Sequence, residues 1–195
     1  MSPAPSTQSH QVQLNIQSAN NIGPEAQQAL NYFTQADSNS DGWLDFLELH
    51  QLLRNHNQTQ YEAATVWYLL TTFADKATPD RVNFDQFYTL WQYLAEWHVT
   101  FKRLDADGSG MINEVELGRA LRSFQQPASP QFVKFLMDRF APEGASELNF
   151  DVFLRVCSSV RTLGEQFKKL DRLPDGRIIA TPEQLIQCAL LEIVS

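Results

Sequence analysis

A hexapeptide motif occurs twice in this 195-residue chain, 66 positions apart, as VNFDQF at 82–87 and LNFDVF at 148–153. After each copy, apolar residues recur at steps of three and four, which places one apolar stripe along a helix of about five turns. The two stripes are Phe87, Leu90, Leu94, Trp97, Phe101 and Leu104, and Phe153, Val156, Val160, Leu163, Phe167 and Leu170. Because each helix runs into a Leu-Asp pair where a loop begins, the repeat predicts an all-α chain of helix–loop–helix units that share long helices.

Shorter helices are predicted between these long ones, at residues 24–36, 46–54, 59–73, 114–124 and 130–140. The second and fourth of them each follow an acidic loop. The third shows Ala63, Trp67, Leu70 and Phe73 on one side, which predicts that this side faces the core. Ser129 with Pro130 predicts a capped start for the helix at 130–140.

The segment DSNSDGWLDFLE at 37–48 has the spacing of an EF-hand calcium loop. Calcium prefers about six to eight oxygen ligands, and a loop of this length supplies them by wrapping once around the ion. Gly42 permits the sharp turn, and Leu44 stands at position eight, which forms a short strand against a neighbouring loop. The predicted ligands are Asp37, Asn39, Asp41, the Trp43 carbonyl, Asp45 and the bidentate Glu48.

The segment DADGSGMINEVE at 105–116 matches the same pattern, with Gly110 at the turn and Ile112 at position eight. Its predicted ligands are Asp105, Asp107, Ser109, the Met111 carbonyl, Asn113 and Glu116. Two complete matches between periodic helices predict two calcium ions per chain, with dissociation constants on the order of 10⁻⁷ to 10⁻⁵ M. Four of the predicted ligands in the first loop are carboxylates and three in this one, so we expect the first loop to bind no more weakly.

Two further loops, near 75–86 and 141–152, keep the motif but lose the ligands. The ligand positions are occupied by Ala77, Pro79 and Gln86 in the former, and by Ala141, Ala145 and Val152 in the latter. Neither set can assemble a calcium shell, yet Val82 and Leu148 keep the apolar position eight. We therefore predict that the first loop pairs with the second, and the third with the fourth.

A fifth unit is predicted at 171–184, where Asp171, Asp175 and Gly176 preserve the turn. Leu173 and Pro182 replace two ligands, so binding of metal should be weak or absent. The helix that follows is apolar almost all round, which predicts burial on more than one side. A two-fold copy of this unit would supply the missing partner loop, although a helix folded wholly into its own chain stays an alternative. The predicted dimerisation residues are Ile178, Leu185, Ile186, Leu190 and Ile193.

The composition limits the functions that this chain can have. The formal net charge of −8 argues against nucleic acid as a partner, because phosphate binding requires clustered basic residues. Residues 1–22 are rich in Ser, Gln, Asn and Pro and are predicted to be a flexible tail, with the folded domain at 23–195. The lack of a signal peptide or membrane-length apolar run, with Cys157 and Cys188 inside predicted helices, predicts a cytoplasmic protein. No catalytic motif is found, so we do not expect an enzyme.

Five units in this order resemble the penta-EF-hand family. The resemblance covers about residues 24–195 and is carried by VNFDQFYTLWQYLAEW, FKRLDADGSGMINEVELGRAL and SPQFVKFLMDRF, and by a fifth loop two residues longer than usual. Within the family, the chain is most similar to the programmed cell death 6 type, in which the first and third hands are the main calcium sites. It departs from that type at Gln125-Gln126-Pro127, where a Gly-Tyr-Arg step helps to shape the partner pocket, so partner identity does not carry over.

The resemblance implies a calcium-dependent adaptor, in which metal binding rearranges helices and exposes an apolar surface for a protein or peptide partner. It further implies Pro-rich peptides or membrane-associated proteins as partners, with peripheral membrane association when calcium is bound. Two alternatives remain open. One is a regulatory subunit similar to the small subunit of calpain, joined to its partner through the fifth hand, and the other is a calcium buffer.

Overall fold

A computed structural model describes residues 23–142, 144–170, 181, 183, 186, 187 and 189 of the chain, with the side chains of 166–170 excluded. This part contains seven helices: α1 Pro24–Ala36, α2 Phe46–Leu52, α3 Ala63–Phe73, α4 Phe84–Leu104, α5 Glu114–Ser123, α6 Pro130–Phe140 and α7 Phe150–Leu170. Its four short strands are β1 Leu44–Asp45, β2 Arg81–Val82, β3 Ile112–Asn113 and β4 Glu147–Leu148. The predicted tail at 1–22 lies outside the described residues, as does the predicted fifth loop except for residues 181 and 183. None of the described helices has the length and apolar character needed to cross a membrane.

The described chain divides into two compact units. The first contains residues up to 53 together with 66–95. Here β1 pairs antiparallel with β2, with Leu44 opposite Val82, and both side chains are fully buried. Phe33 from α1 packs against Phe87 from α4 with ring centroids 5.6 Å apart. The first and second loops are thus paired through their position-eight residues, as the sequence predicts.

The second unit contains residues 54–65 and those from 96 onward. Its strands β3 and β4 are antiparallel, with Ile112 opposite Leu148, and both residues are fully buried. Trp97 and Phe101 from α4 make edge-on contacts with Phe153 from α7, at centroid separations of 5.8 and 5.5 Å. This second pairing also agrees with the prediction, and within this unit Trp97 and Phe101 of the first stripe pack against Phe153 of the second.

The burial of the two stripes and the start of α6 agree with the sequence predictions. Among the described stripe side chains, those that are buried are Phe87, Leu90, Leu94, Trp97, Phe101, Phe153, Val156 and Val160. Helix α6 begins at Pro130, and the Ser129 hydroxyl accepts a hydrogen bond from the Phe132 amide at 3.2 Å, so the predicted cap is confirmed.

The prediction for α3 is wrong in two respects. The helix begins at Ala63 rather than Thr59, because residues 54–60 form a turn closed by a bridge between Arg54 and Gln60. Its buried face contains Val66, Leu69 and Leu70, whereas Trp67 is 47% exposed. The composition of α3 is apolar on several sides, so periodicity alone could not select the side that faces the core.

Candidate metal centres

The first loop folds around its own predicted ligands. The Asp37 carboxylate accepts hydrogen bonds from the Asp41 amide at 3.1 Å and the Gly42 amide at 3.0 Å. The Asn39 side-chain oxygen accepts from the Asp41 amide at 2.8 Å, and the Asp41 carboxylate accepts from the Trp43 amide at 2.9 Å. Gly42 has a φ of +82°, a conformation that L side chains rarely adopt. These bonds hold the side chains of positions one, three and five on the concave side of one turn.

Glu48, at position twelve, closes this loop from the first turn of α2. One of its carboxylate oxygens accepts from the Ser38 amide and hydroxyl, at 3.0 and 2.9 Å. The other accepts from the Asp45 amide at 3.2 Å, while the Asp45 carboxylate accepts from the Glu48 amide at 2.9 Å. This reciprocal pair is a capping box, so the residue predicted to close the calcium shell also starts the helix. Glu48 is buried, which keeps both oxygens directed into the loop.

The third loop repeats the same hydrogen-bond pattern. Asp105 accepts from the amides of Ser109 and Gly110 at 3.0 and 2.9 Å. Glu116 accepts from the amides of Ala106 and Asn113 at 2.8 and 3.1 Å, and is likewise buried. The two loops therefore share one geometry, although their sequences differ at most positions.

The remaining predicted ligands of the third loop lie beside this framework. The Asp107 carboxylate accepts from the Ser109 amide at 3.0 Å, and hydrogen bonds from Ser109 hold the pKa of Asp107 below its usual value. The Ser109 hydroxyl donates to the Met111 carbonyl at 3.3 Å, and the Asn113 amide group donates to Asp107 at 3.5 Å. Asp107 is thus held in the charged form that a cation requires.

Three carboxylates converge in the third loop. Oxygens of Asp105, Asp107 and Glu116 all lie within 4.8 Å of one another. Together with the Ser109 hydroxyl, the Asn113 carbonyl oxygen and a backbone carbonyl, they form an all-oxygen donor set, which suits a hard cation such as calcium. No equally close group of three forms in the first loop, where the second Asp41 oxygen lies 3.8 Å from the Arg81 guanidinium.

The second loop keeps the helix-starting part of the motif without the metal ligand. The Gln86 side-chain oxygen accepts from the Asn83 amide at 2.9 Å, and the Asn83 side chain accepts from the Gln86 amide at 3.0 Å. An amide at position twelve therefore still makes the capping box. In the fourth loop the same position is Val152, whose side chain is fully buried. An apolar group there cannot offer an oxygen ligand.

The predicted dimerisation residues are described only at Ile186, which is 1% exposed and therefore covered by its own chain. Ile178, Leu185, Leu190 and Ile193 lie outside the described residues. Glu183 accepts hydrogen bonds from the Ser129 amide and hydroxyl at 3.1 and 2.9 Å, which ties the start of the last helix to the cap of α6. The dimer through the fifth hand stays a prediction.

Asp151 is a buried anchor that the sequence predictions missed. Its carboxylate is fully buried and accepts from the Asn55 side chain at 2.9 Å and the Glu62 amide at 2.7 Å. The Asn55 side-chain oxygen accepts from the Asp151 amide at 3.2 Å, and Glu62 also pairs with Arg155. Asp151 therefore fixes the turn at 54–65 onto the first turn of α7.

Ser40 offers a test of backbone strain in the first loop. Its φ is +57°, while Gly108 at the same position of the third loop has a φ of +71°. Side chains other than glycine are strained in this conformation. We expect Ser40→Gly to raise the free energy of unfolding by about 0.5–1 kcal/mol and Gly108→Ser to lower it by a similar amount. Urea unfolding in the presence of a chelator would measure both, and shifts of the same sign would contradict the explanation.

Comparison with known proteins agrees with this geometry. The sequence profile described as "EF hand" matches residues 98–121, which contain the third loop. The chain is 30% identical to peflin from Danio rerio over 174 residues, which cover 89% of the chain and 63% of that peflin. It is 32% identical to sorcin from Schistosoma japonicum over 162 residues, which cover 83% of the chain and 94% of the sorcin. The chain belongs to the penta-EF-hand family. This confirms the family predicted from the sequence.

The chain spans 63% of the length of the Danio rerio peflin and 57% of the Homo sapiens peflin, to which it is 31% identical. A solved structure described as a homolog of programmed cell death 6 protein from Leishmania major Friedlin aligns with a TM-score of 0.66. That alignment covers 85% of this chain and 94% of the other at 24% identity, and so supports the all-α fold.

Proposed function

We propose that this protein is a calcium sensor that binds two calcium ions, at residues 37–48 and 105–116, and responds by binding protein partners. The proposal is supported by two loops with matching hydrogen-bond frameworks, each closed by a buried glutamate in the first turn of a helix. Calcium would be held in the first loop by the side chains of Asp37, Asn39, Asp41, Asp45 and Glu48 and the Trp43 carbonyl. In the third, its ligands would be the side chains of Asp105, Asp107, Ser109, Asn113 and Glu116 and the Met111 carbonyl.

The observation that favours a sensor over a buffer is an apolar surface formed by the helix of Glu48 together with Trp67 of α3. Leu47 is 63% exposed and Trp67 is 47% exposed. Phe46 stacks on Trp67 with centroids 4.7 Å apart and on His50 at 5.5 Å. We call Phe46, Leu47, His50 and Trp67 the α2 surface. Because exposed aromatic clusters mark interaction sites, this surface is the proposed partner contact.

Calcium can act on the α2 surface through the helix itself. Glu48 follows Phe46 and Leu47 directly, so all three belong to the first turn of α2. Calcium held by both Glu48 oxygens would compete with the hydrogen bonds that Glu48 accepts from Ser38 and Asp45, and would thereby reposition this turn. A shift of α2 changes the exposure of Leu47 and the stacking of Phe46 on Trp67, which is the kind of change that EF-hand sensors use.

Fluorescence of 8-anilinonaphthalenesulfonate with and without calcium tests the sensor proposal. We expect calcium to increase the fluorescence of the native protein, and Leu47→Ser with Trp67→Ser to remove most of that increase. Val99→Ser is a matched control, since Val99 is also exposed, at 70%, but belongs to α4 in the second unit. If calcium binds without any increase, the buffer alternative is favoured instead.

A homodimer through the fifth hand is the proposed assembly. It is supported by the sequence of the last helix and by Ile178, a position-eight residue with no partner loop among the paired hands. Light scattering at micromolar concentration should give a dimer, and Ile178→Asp should give a monomer of unchanged helical content. A native monomer would contradict the dimer, and a stable complex with a different chain would favour the calpain-like alternative.

The proposal also covers the location of the protein, its lack of enzymatic activity and the kind of partner it binds. We propose a cytoplasmic, non-enzymatic adaptor with Pro-rich peptides as partners and calcium-dependent peripheral membrane association. A pull-down from lysate with calcium and with chelator would identify the partners, and retention of the same proteins in both would contradict calcium-dependent recruitment.

A further inference from the structure

In each pair of loops, the residue opposite position nine of the calcium loop is charged, and the two charges have opposite sign. In the first unit, Arg81 on β2 lies opposite Asp45 on β1. In the second unit, Glu147 on β4 lies opposite Asn113 on β3. Arg81 and Glu147 occupy the same place, one residue before the apolar position eight of loops that have lost their own metal ligands.

Arg81 reaches the predicted ligands of the first loop. One guanidinium nitrogen lies 3.8 Å from an Asp41 carboxylate oxygen, and both side chains are about 40% exposed. A second nitrogen pairs with Asp80 at 3.3 Å. The Arg81 guanidinium therefore places a positive charge beside Asp41, on the strand residue that lies opposite Asp45.

Glu147 lies beside the predicted ligands of the third loop. It lines a cleft of about 540 Å³ together with Asp107, Asn113 and Glu116. Glu114 of the same loop and Arg119, which carry opposite charges, also line this cleft. Glu147 therefore adds one negative charge beside the three carboxylate ligands Asp105, Asp107 and Glu116.

We infer that the two loops without metal ligands tune calcium affinity in opposite directions, Arg81 weakening the first site and Glu147 strengthening the third. The inference rests on the two sites of the proposed function. Calcium entering the first loop meets a fixed cation, whereas calcium entering the third meets an added anion. Counting only the carboxylate ligands and the facing residue, the first site has a net charge of −3 (four carboxylates and Arg81) and the third of −4 (three carboxylates and Glu147).

The facing charges reverse the order of calcium affinity that the number of carboxylate ligands alone would predict. The first loop has one more carboxylate ligand, but the charge of Arg81 offsets it, and Glu147 adds a negative charge beside the third loop. Both charges are partly exposed or open to a cleft, so salt screens them and each effect is moderate. At about 0.1 M salt, we expect the third site to bind calcium at least as tightly as the first.

Calorimetric titration of calcium into the full chain tests the inference one site at a time. The first site is isolated in a Glu116→Gln background and the third in a Glu48→Gln background. In about 0.1 M salt, Arg81→Gln should tighten the first site about threefold and Arg81→Glu about tenfold. Glu147→Gln should weaken the third site about threefold and Glu147→Lys about tenfold.

The variants at the two positions serve as controls for each other. Arg81 variants should leave the third site unchanged, and Glu147 variants should leave the first unchanged. Asp80→Asn removes the competing partner of Arg81 and should weaken the first site. The effects should also shrink in about 0.5 M salt. Unchanged affinities in the facing-residue variants, or equal shifts at both sites, would overturn the inference. Absence of calcium binding in the native chain would instead refute the proposed function.

Discussion

Replacing Glu48 and Glu116 together with glutamine is expected to remove high-affinity calcium binding from the chain. Each substitution takes one full negative charge from the ion, and each exchanges a bidentate carboxylate for a single amide oxygen. At contact distance even a water-like dielectric makes that charge worth about 3 kcal/mol, which corresponds to about a hundredfold loss of affinity per site. The single substitutions should each remove one of two sites.

The double variant should nevertheless fold. Gln86 stands at the equivalent position of the second loop, where its amide makes the same capping box with Asn83 that Glu48 makes with Asp45. Glutamine at positions 48 and 116 can therefore keep the start of each helix. Glu96→Gln is a matched control for lost charge, because Glu96 is exposed on α4 away from the loops.

Calorimetry and far-ultraviolet circular dichroism would measure these expectations together. Two sites in the native chain, one in each single variant and none in the double variant would support the assignment. Strong binding that persists in the double variant would contradict the ligand set, and three or more strong native sites would contradict the number of ions.

The loops and their pairing could be predicted from the sequence because their information is local. Position eight must be apolar to reach a partner strand, and Leu44, Val82, Ile112 and Leu148 satisfy that requirement at a fixed distance from each turn glycine or its substitute. The residue at position twelve must both complete the calcium shell and start a helix. The motif alone therefore identifies this glutamate. Such spacing can be recognised in the sequence without knowing which distant segments contact each other.

The turn at 54–65 and its anchor could not be predicted, because they depend on a contact between residues 96 positions apart. Asp85 and Asp151 occupy the same position in the repeated hexapeptide, so the sequence alone does not distinguish them. In the structure Asp85 is exposed, whereas Asp151 is fully buried and bonded to Asn55 and Glu62. Facing charges such as Arg81 and Glu147 were missed for a similar reason, since their effect depends on strand register.

Asp151→Ala is expected to lower the free energy of unfolding by about 3 kcal/mol. The substitution leaves the Asn55 side-chain amide without its 2.9 Å acceptor and the Glu62 amide without its 2.7 Å acceptor. Unsatisfied donors in buried surroundings are strongly unfavourable, because neither water nor another group replaces the lost bond. Asp151 also stands in the first turn of α7, where a negative charge favours the helix dipole.

Asp85→Ala separates these two contributions, because Asp85 occupies the first turn of α4 without burial. It removes the same charge at the same place in a helix, and its loss should be about 0.5 kcal/mol. Urea unfolding of both variants, together with Asp151→Asn and Asn55→Ala, gives the difference that belongs to the buried contacts. If Asp151 and Asn55 act as one unit, the double substitution should be much less destabilising than the sum of the two single ones. Equal losses at positions 85 and 151 would show that the turn at 54–65 is held by its packing of Tyr61 on Phe150 rather than by this carboxylate.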